Sequence, residues 1–153
     1  MEIVDMTDEY AADIVTWRYP APYDCYDLVD TDPEFFTDPR NGYVALVDKG
    51  ELIGYRVFGR DGRVPGGEYD ESALDTGGGL RPELTGRGLG RQAIAAGLEY
   101  GAARFRPMAF RVTVAGLNIR AQQVVQGLGF VPTRTFNATT DGCGFVIMTR
   151  RQP

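Results

Sequence analysis

The chain has 153 residues and a net charge of −5, with the hydrophobic and charged fractions of an ordinary soluble globular protein. That length predicts one domain spanning residues 1–153 with a substantial buried core, and the acidic balance argues against free nucleic acid as a partner. The sequence has no histidine, which excludes histidine-ligated metal sites and Ser-His or Cys-His nucleophilic catalysis; no metal is expected.

The charge is unevenly spread. Residues 1–40 carry eleven Asp/Glu against two Arg, whereas the rest carries fourteen Lys/Arg against ten acids. A basic body suits an anionic cofactor, and an acidic first quarter suits a cationic substrate. Cys25 and Cys143 form neither a CxxC pair nor a secreted-type framework. No apolar run is long enough to span a bilayer and the acidic start does not resemble a secretory signal, so no membrane association and a cytoplasmic location are expected.

Glu2 to Met6 reads as a strand. Thr7 is a candidate N-cap for a helix carrying Tyr10, Ile14 and Trp17 on its apolar face, ending before Pro20. Residues 18–40 alternate prolines and aromatics with carboxylates and predict irregular structure, with one short helix near Tyr23 to Val29. Gly42 to Asp48 and Glu51 to Gly59 predict an antiparallel hairpin turning at Lys49-Gly50. After a polar Gly/Pro-rich loop, Ala73 to Leu80 reads as a strand interrupted by glycines. Residues 88–105 predict a helix and Met108 to Ala115 a strand. Asn118 caps a helix reaching Leu128, closed by Gly129. Val131-Pro132 opens a further strand, Asp141-Gly142 a turn, and Phe145 to Thr149 the last strand. This order predicts an α/β mixed sheet with helices on both faces.

The most informative stretch is Gly77 to Arg91, G-G-G-L-R-P-E-L-T-G-R-G-L-G-R. A strand stops at a proline, a glycine turn carrying arginines follows, and a helix begins. Such a turn brings unpaired helix N–H groups, a positive dipole end and close backbone approach to one place, which suits a pyrophosphate. A nucleotide P-loop would need Gly-Lys-Ser/Thr, but Gly90 precedes Arg91-Gln92. G88-L89-G90-R91-Q92-A93 meets the short dinucleotide fingerprint, yet no acid lies between Glu99 and Asp141 to hold a ribose.

L-R-P-E-L-T-G-R-G-L-G, followed by N118-x-x-A121 and G129-F130, resembles the GNAT superfamily of acyl-CoA-dependent N-acyltransferases. The resemblance covers nearly the whole chain in element order. Thr85 departs from the Gln or Arg that opens the family's cradle, while Gly88 and Gly90 match. It implies a GNAT-like fold: a mostly antiparallel sheet of about seven strands, splayed in the middle. It implies acetyl-CoA as co-substrate, held by Gly78, Leu80, Arg87, Gly88, Leu89, Gly90, Arg91 and Asn118, with residues 112–115 facing Gly78 and Leu80 across the splay. It also implies N-acetylation of a small cationic amine or a peptide N-terminus by direct attack, in a monomer or homodimer.

Three roles then need residues. Asp75, with Glu71 behind it, is the candidate base, and the Leu80 N–H the oxyanion donor. The family's usual tyrosine acid would fall at Val125, so a water or an aromatic-loop tyrosine must replace it, or none is needed. Trp17, Tyr19, Tyr23 and Tyr26 are candidate walls for the acceptor, with Asp24 or Asp27 attracting its ammonium. Two alternatives stand beside this reading: an acyl-CoA-binding module without turnover, and an enzyme using another acyl group.

Overall fold

The computed structural model describes all 153 residues. Seven strands form one sheet: β1 (Glu2–Asp5), β2 (Tyr43–Asp48), β3 (Glu51–Phe58), β4 (Leu74–Leu80), β5 (Ala109–Ala115), β6 (Val131–Asn137) and β7 (Gly144–Arg151). Their order is β1-β2-β3-β4-β5-β7-β6. Helices α1 (Asp8–Ile14) and α2 (Glu34–Thr37) precede β2, α3 (Gly90–Phe105) joins β4 to β5, and α4 (Ile119–Gly127) follows β5.

Local chemistry sets most boundaries. Thr7 is extended and its side chain accepts from the Tyr10 amide at 3.1 Å, while Asp8 and Glu9 occupy the first turn of α1. Asn118 likewise accepts from the Ala121 amide at 3.2 Å and starts α4. Helix α3 begins at Gly90 rather than at residue 88, because Gly88 adopts a left-handed φ of 78° that a helix cannot continue through. The short helix expected from Tyr23 to Val29 is a 3-10 turn over Tyr23–Tyr26. Helix α2 is additional, and its Phe36 is 1% exposed.

Hydrophobic clusters cover both faces of the sheet. On one face Leu98 of α3 and Val125 of α4 pack with Phe58, Phe110, Val112, Val114, Phe130 and Met148. On the other, Ala11 and Ile14 of α1, Trp17 and Phe36 of α2 pack on Ala45 and Leu52. Each of these large apolar side chains contributes about 1.5–3 kcal/mol through burial. Edge strand β6 tolerates Pro132 beside a register shift.

The centre of the sheet positions the site. Strands β1 to β4 are antiparallel, as are β5, β7 and β6. The two halves meet in one parallel pairing, β4 with β5, which has only two registered pairs, Leu74 with Phe110 and Asp75 with Arg111. Beyond them the strands splay, so the last residues of β4 have no sheet neighbour on that side. The expected mixed, splayed seven-stranded sheet is present.

Candidate active site

The phase of each ladder shows which backbone groups face the splay. Arg81 N–H donates to Ile53 O at 2.8 Å and Gly59 N–H to Asp75 O at 2.8 Å. Alternation along an antiparallel pair therefore turns the amides and carbonyls of Gly78 and Leu80 away from β3, toward the gap. On the opposite side, Gly116 N–H donates to Gly144 O and Gln152 N–H to Met108 O, at 2.9 and 2.8 Å. The same alternation turns the backbone of Thr113 and Ala115 toward the gap. Gly78 is committed to its place: its φ is 154°, and a Cβ there would lie 2.2 Å from Tyr55 O.

The gap leads to the N-terminus of α3. Leu89 precedes the helix without a side-chain cap, and the first helical amide with a backbone partner in that turn is Ala93, bonded to Leu89 O at 3.0 Å. The earlier amides remain open donors at the positive end of a 16-residue helix. Gly86 and Gly88 carry φ of 75° and 78° and fold the turn. Arg87 and Arg91 are exposed beside it. Arg120, which nothing in the glycine motif signals, reaches the same turn: its Nη1 would lie 2.8 Å from a Cβ on Gly86. This set of open amides, positive-φ glycines and arginines fits a pyrophosphate, and the open strand edges fit the amide-bearing arm of coenzyme A.

The loop after α1 straps the mouth of the gap. Tyr19 Oη donates to Leu80 O at 2.6 Å, its own amide donates to Asp27 Oδ1 at 2.7 Å, and burial raises its pKa far above the ordinary tyrosine value. Tyr26 Oη accepts from Asn118 Nδ2 at 3.1 Å on the far side. Burial is the main cause raising the Tyr26 pKa, opposed by the Asn118 hydrogen bond. Arg120 lies 4.8 Å from the centre of the Tyr23 ring. Asp24 is exposed on the outer side of the 3-10 turn. Tyr55, which no motif singles out, brings its hydroxyl over Gly79 beside that of Tyr19.

Trp17 is not a pocket wall. It is 5% exposed, donates from Nε1 to Asp13 Oδ1 at 3.1 Å, and has Arg81 5.0 Å from its ring centre. Arg81 in turn pairs with Asp13 at 2.5 Å and donates to Leu52 O at 3.1 Å, locking α1 to the end of β4.

The expected bases are also displaced. Asp75 is 2% exposed, with Oδ1 held by Arg111 Nε at 2.7 Å and Oδ2 by Arg63 Nε and Arg111 Nη2, each at 2.8 Å. It sits where β4 and β5 are still paired, five residues or about 16 Å of strand from Leu80. A carboxylate so engaged and so placed has no route to a proton at Leu80, and it serves as an ion-pair centre instead. Glu71 lies at the same end, exposed and beside Arg60 and Arg63 at 3.5 and 3.4 Å.

Residues 8–130 match the acetyltransferase (GNAT) family. The chain belongs to that family. It is accordingly an acyl-CoA-dependent N-acyltransferase. A solved aminoglycoside acetyltransferase in complex with coenzyme A is 18% identical, with a TM-score of 0.73, and the match covers 99% of this chain and 94% of that one. A point mutant of the spermidine N-acetyltransferase of Vibrio cholerae is 17% identical, with a TM-score of 0.71 over 99% and 95%. A GNAT acetyltransferase of Bacillus anthracis is 16% identical, with a TM-score of 0.67 over 97% and 93%. These likenesses establish the fold. No curated protein matches the chain in sequence. No three or more His, Cys, Asp or Glu side chains gather in a group that could hold a metal, and no helix is long and apolar enough to cross a membrane.

Proposed function

We propose that the protein transfers an acetyl group from acetyl-CoA to a primary amine, by direct attack with both substrates bound. One observation carries this reading: the unpaired end of β4, splayed from β5, leads into the uncapped, arginine-flanked start of α3. Leu80 on the open edge of β4 would meet the thioester end of the pantetheine arm, with Gly78 and Thr113 lining the space beyond it. The turn from Arg87 to Arg91, with Arg120, would hold the pyrophosphate, and Asn118 would orient the thiol end.

In the reaction the amine lone pair attacks the thioester carbon, a C–N bond forms and the C–S bond breaks. The Leu80 N–H donates to the oxygen that gains charge. Asp27, whose Oδ2 is not used by Tyr19, takes the ammonium proton through water. Tyr26 supplies the proton that Val125 cannot. Its hydroxyl accepts from Asn118 and donates to no protein group, and its raised pKa keeps it protonated at neutral pH.

The acceptor approaches over the α1 face, where Tyr19, Tyr23 and Tyr26 line the strap and Asp24 and Asp27 attract a cation. A small cationic amine or a peptide N-terminus fits that chemistry, and two of the solved relatives carry the names of spermidine and aminoglycosides. The reaction suits a cytoplasmic monomer or homodimer.

Thiol release from acetyl-CoA across polyamines, aminoglycosides and short peptides tests the reading, with coenzyme A binding followed by calorimetry. Turnover with at least one cationic amine is expected. Tight binding with no turnover would favour the second reading, a coenzyme A-binding module. Val125, 2% exposed in the core where a catalytic tyrosine would otherwise stand, is the observation that favours it.

A further inference from the structure

Arg56 is the chain's unexplained charge. It lies on β3 opposite Gly78, is 6% exposed, and its Nε is the one buried side-chain nitrogen or oxygen without a hydrogen-bond partner. It forms no ion pair, in contrast to the other buried arginine, Arg111, which has Asp75 and Asp70. Two glycines make room for it: a Cβ on Gly78 would lie 2.8 Å from its Nη1, and a Cβ on Gly97 of α3 2.8 Å from its Nε. The sheet and α3 are thus hollowed around a cation that nothing in the protein neutralises.

Burial pushes its pKa down only to about 10, so it stays charged at neutral pH. The ionisable neighbour is Tyr55, itself pushed up to about 12 and therefore neutral. A buried charge without a partner is costly unless a ligand supplies one. The pyrophosphate is too far away, because Gly97 lies seven residues, about 10 Å, along α3 from the cradle. The acyl end of the groove is close. Leu80 and Gly78 are two residues apart on the open edge, about 7 Å. A four-carbon diacid reaches about 5 Å from its thioester carbon to its far oxygens, so a carbonyl bound at the Leu80 N–H brings that carboxylate within hydrogen-bond reach of the guanidinium over Gly78.

We propose that Arg56 admits a second class of acyl donor to this groove, coenzyme A thioesters whose acyl chain ends in a carboxylate. The inference rests on the acyltransferase reading of the groove. The transfer is the same: the amine nitrogen bonds to the thioester carbon, the amine loses one proton, the thiolate leaves and is protonated, and the distal carboxylate is unchanged.

The test compares succinyl-CoA with butyryl-CoA, which has the same number of acyl carbons and no charge, on one cationic amine. The wild-type protein should favour succinyl-CoA by at least about tenfold in kcat/KM. In Arg56→Met, which fills the same hollow without charge, that ratio should fall to about 1, and Arg56→Lys should retain part of it. Competition binding of the two thioesters gives the same ratio if turnover is slow. A wild-type ratio near 1, or an Arg56→Met protein that loses both donors equally, would overturn the assignment while leaving acetyl transfer standing. Failure of coenzyme A itself to bind would overturn the acyltransferase reading and this inference together.

Discussion

Tyr26 Oη and Asn118 Nδ2 lie 3.1 Å apart although 92 positions separate them in the chain, so the cap of α4 also anchors the loop after α1. Asn118 thereby serves the helix through Oδ1 and the strap through Nδ2. In the proposed mechanism the hydroxyl it holds replaces the tyrosine that Val125 displaces. Tyr26→Phe should lower kcat by about a hundredfold and leave KM for acetyl-CoA within about threefold. Acetyl thioesters of more acidic thiols should be less affected, since their leaving groups need no proton. A rise in KM with kcat unchanged would mark Tyr26 as a strap alone.

Asp75 should matter to folding rather than to chemistry. Removing it leaves Arg63 and Arg111 facing one another across a site from which water is largely excluded. Asp75→Ala should cost about 3 kcal/mol, or about 10 °C in Tm, while turnover per folded molecule stays within about twofold at saturating substrate. A folded Asp75→Ala protein that lost turnover a hundredfold would restore it as a base.

Helix caps and turns were readable from sequence because their chemistry is local. Thr7, Asn118 and the glycines around Arg87 act on amides within three or four positions, and the backbone reports those preferences directly. Residues whose role depends on register were not readable. Arg56 becomes significant only because β3 sets it opposite Gly78, and Asp75 is neutralised by arginines 12 and 36 positions away. Helix α2 escaped for a related reason: four residues are too few for a periodic signal, and burial of Phe36 beside Tyr43 and Tyr55 holds it in place. Arg120 was hidden by distance, since the turn it reaches precedes it by a helix and a strand.

The arginines at the start of α3 are open to a direct electrostatic test. Arg87 is exposed and forms no ion pair or hydrogen bond with the protein, so reversing its charge removes nothing the fold uses. Arg87→Glu should weaken coenzyme A binding by at least about tenfold at low salt, with Tm of the free protein unchanged. Adding salt should shrink the difference between the two proteins. Equal affinity in calorimetry would take the pyrophosphate away from this turn.

The Asp13–Arg81 pair predicts how the α1 lock responds to acid. The hydrogen bond from Arg81 is the largest influence on Asp13 and holds its carboxyl below the ordinary value of 3.8; burial opposes it and Trp17 reinforces it. A folded-state pKa below the unfolded one means the stabilisation is complete above the unfolded value and disappears as pH falls through the folded one. Because the pair is 29% and 39% exposed, its contribution is modest, about 0.5–1 kcal/mol. Asp13→Asn should therefore be less stable than wild type by about that amount at pH 7, measured by urea unfolding. The two curves should converge as pH falls below the ordinary carboxylate range, where wild type has lost the charge that the variant never had. A difference that persists unchanged into acid would assign the lock to packing of Arg81 on Trp17 instead of to the ion pair.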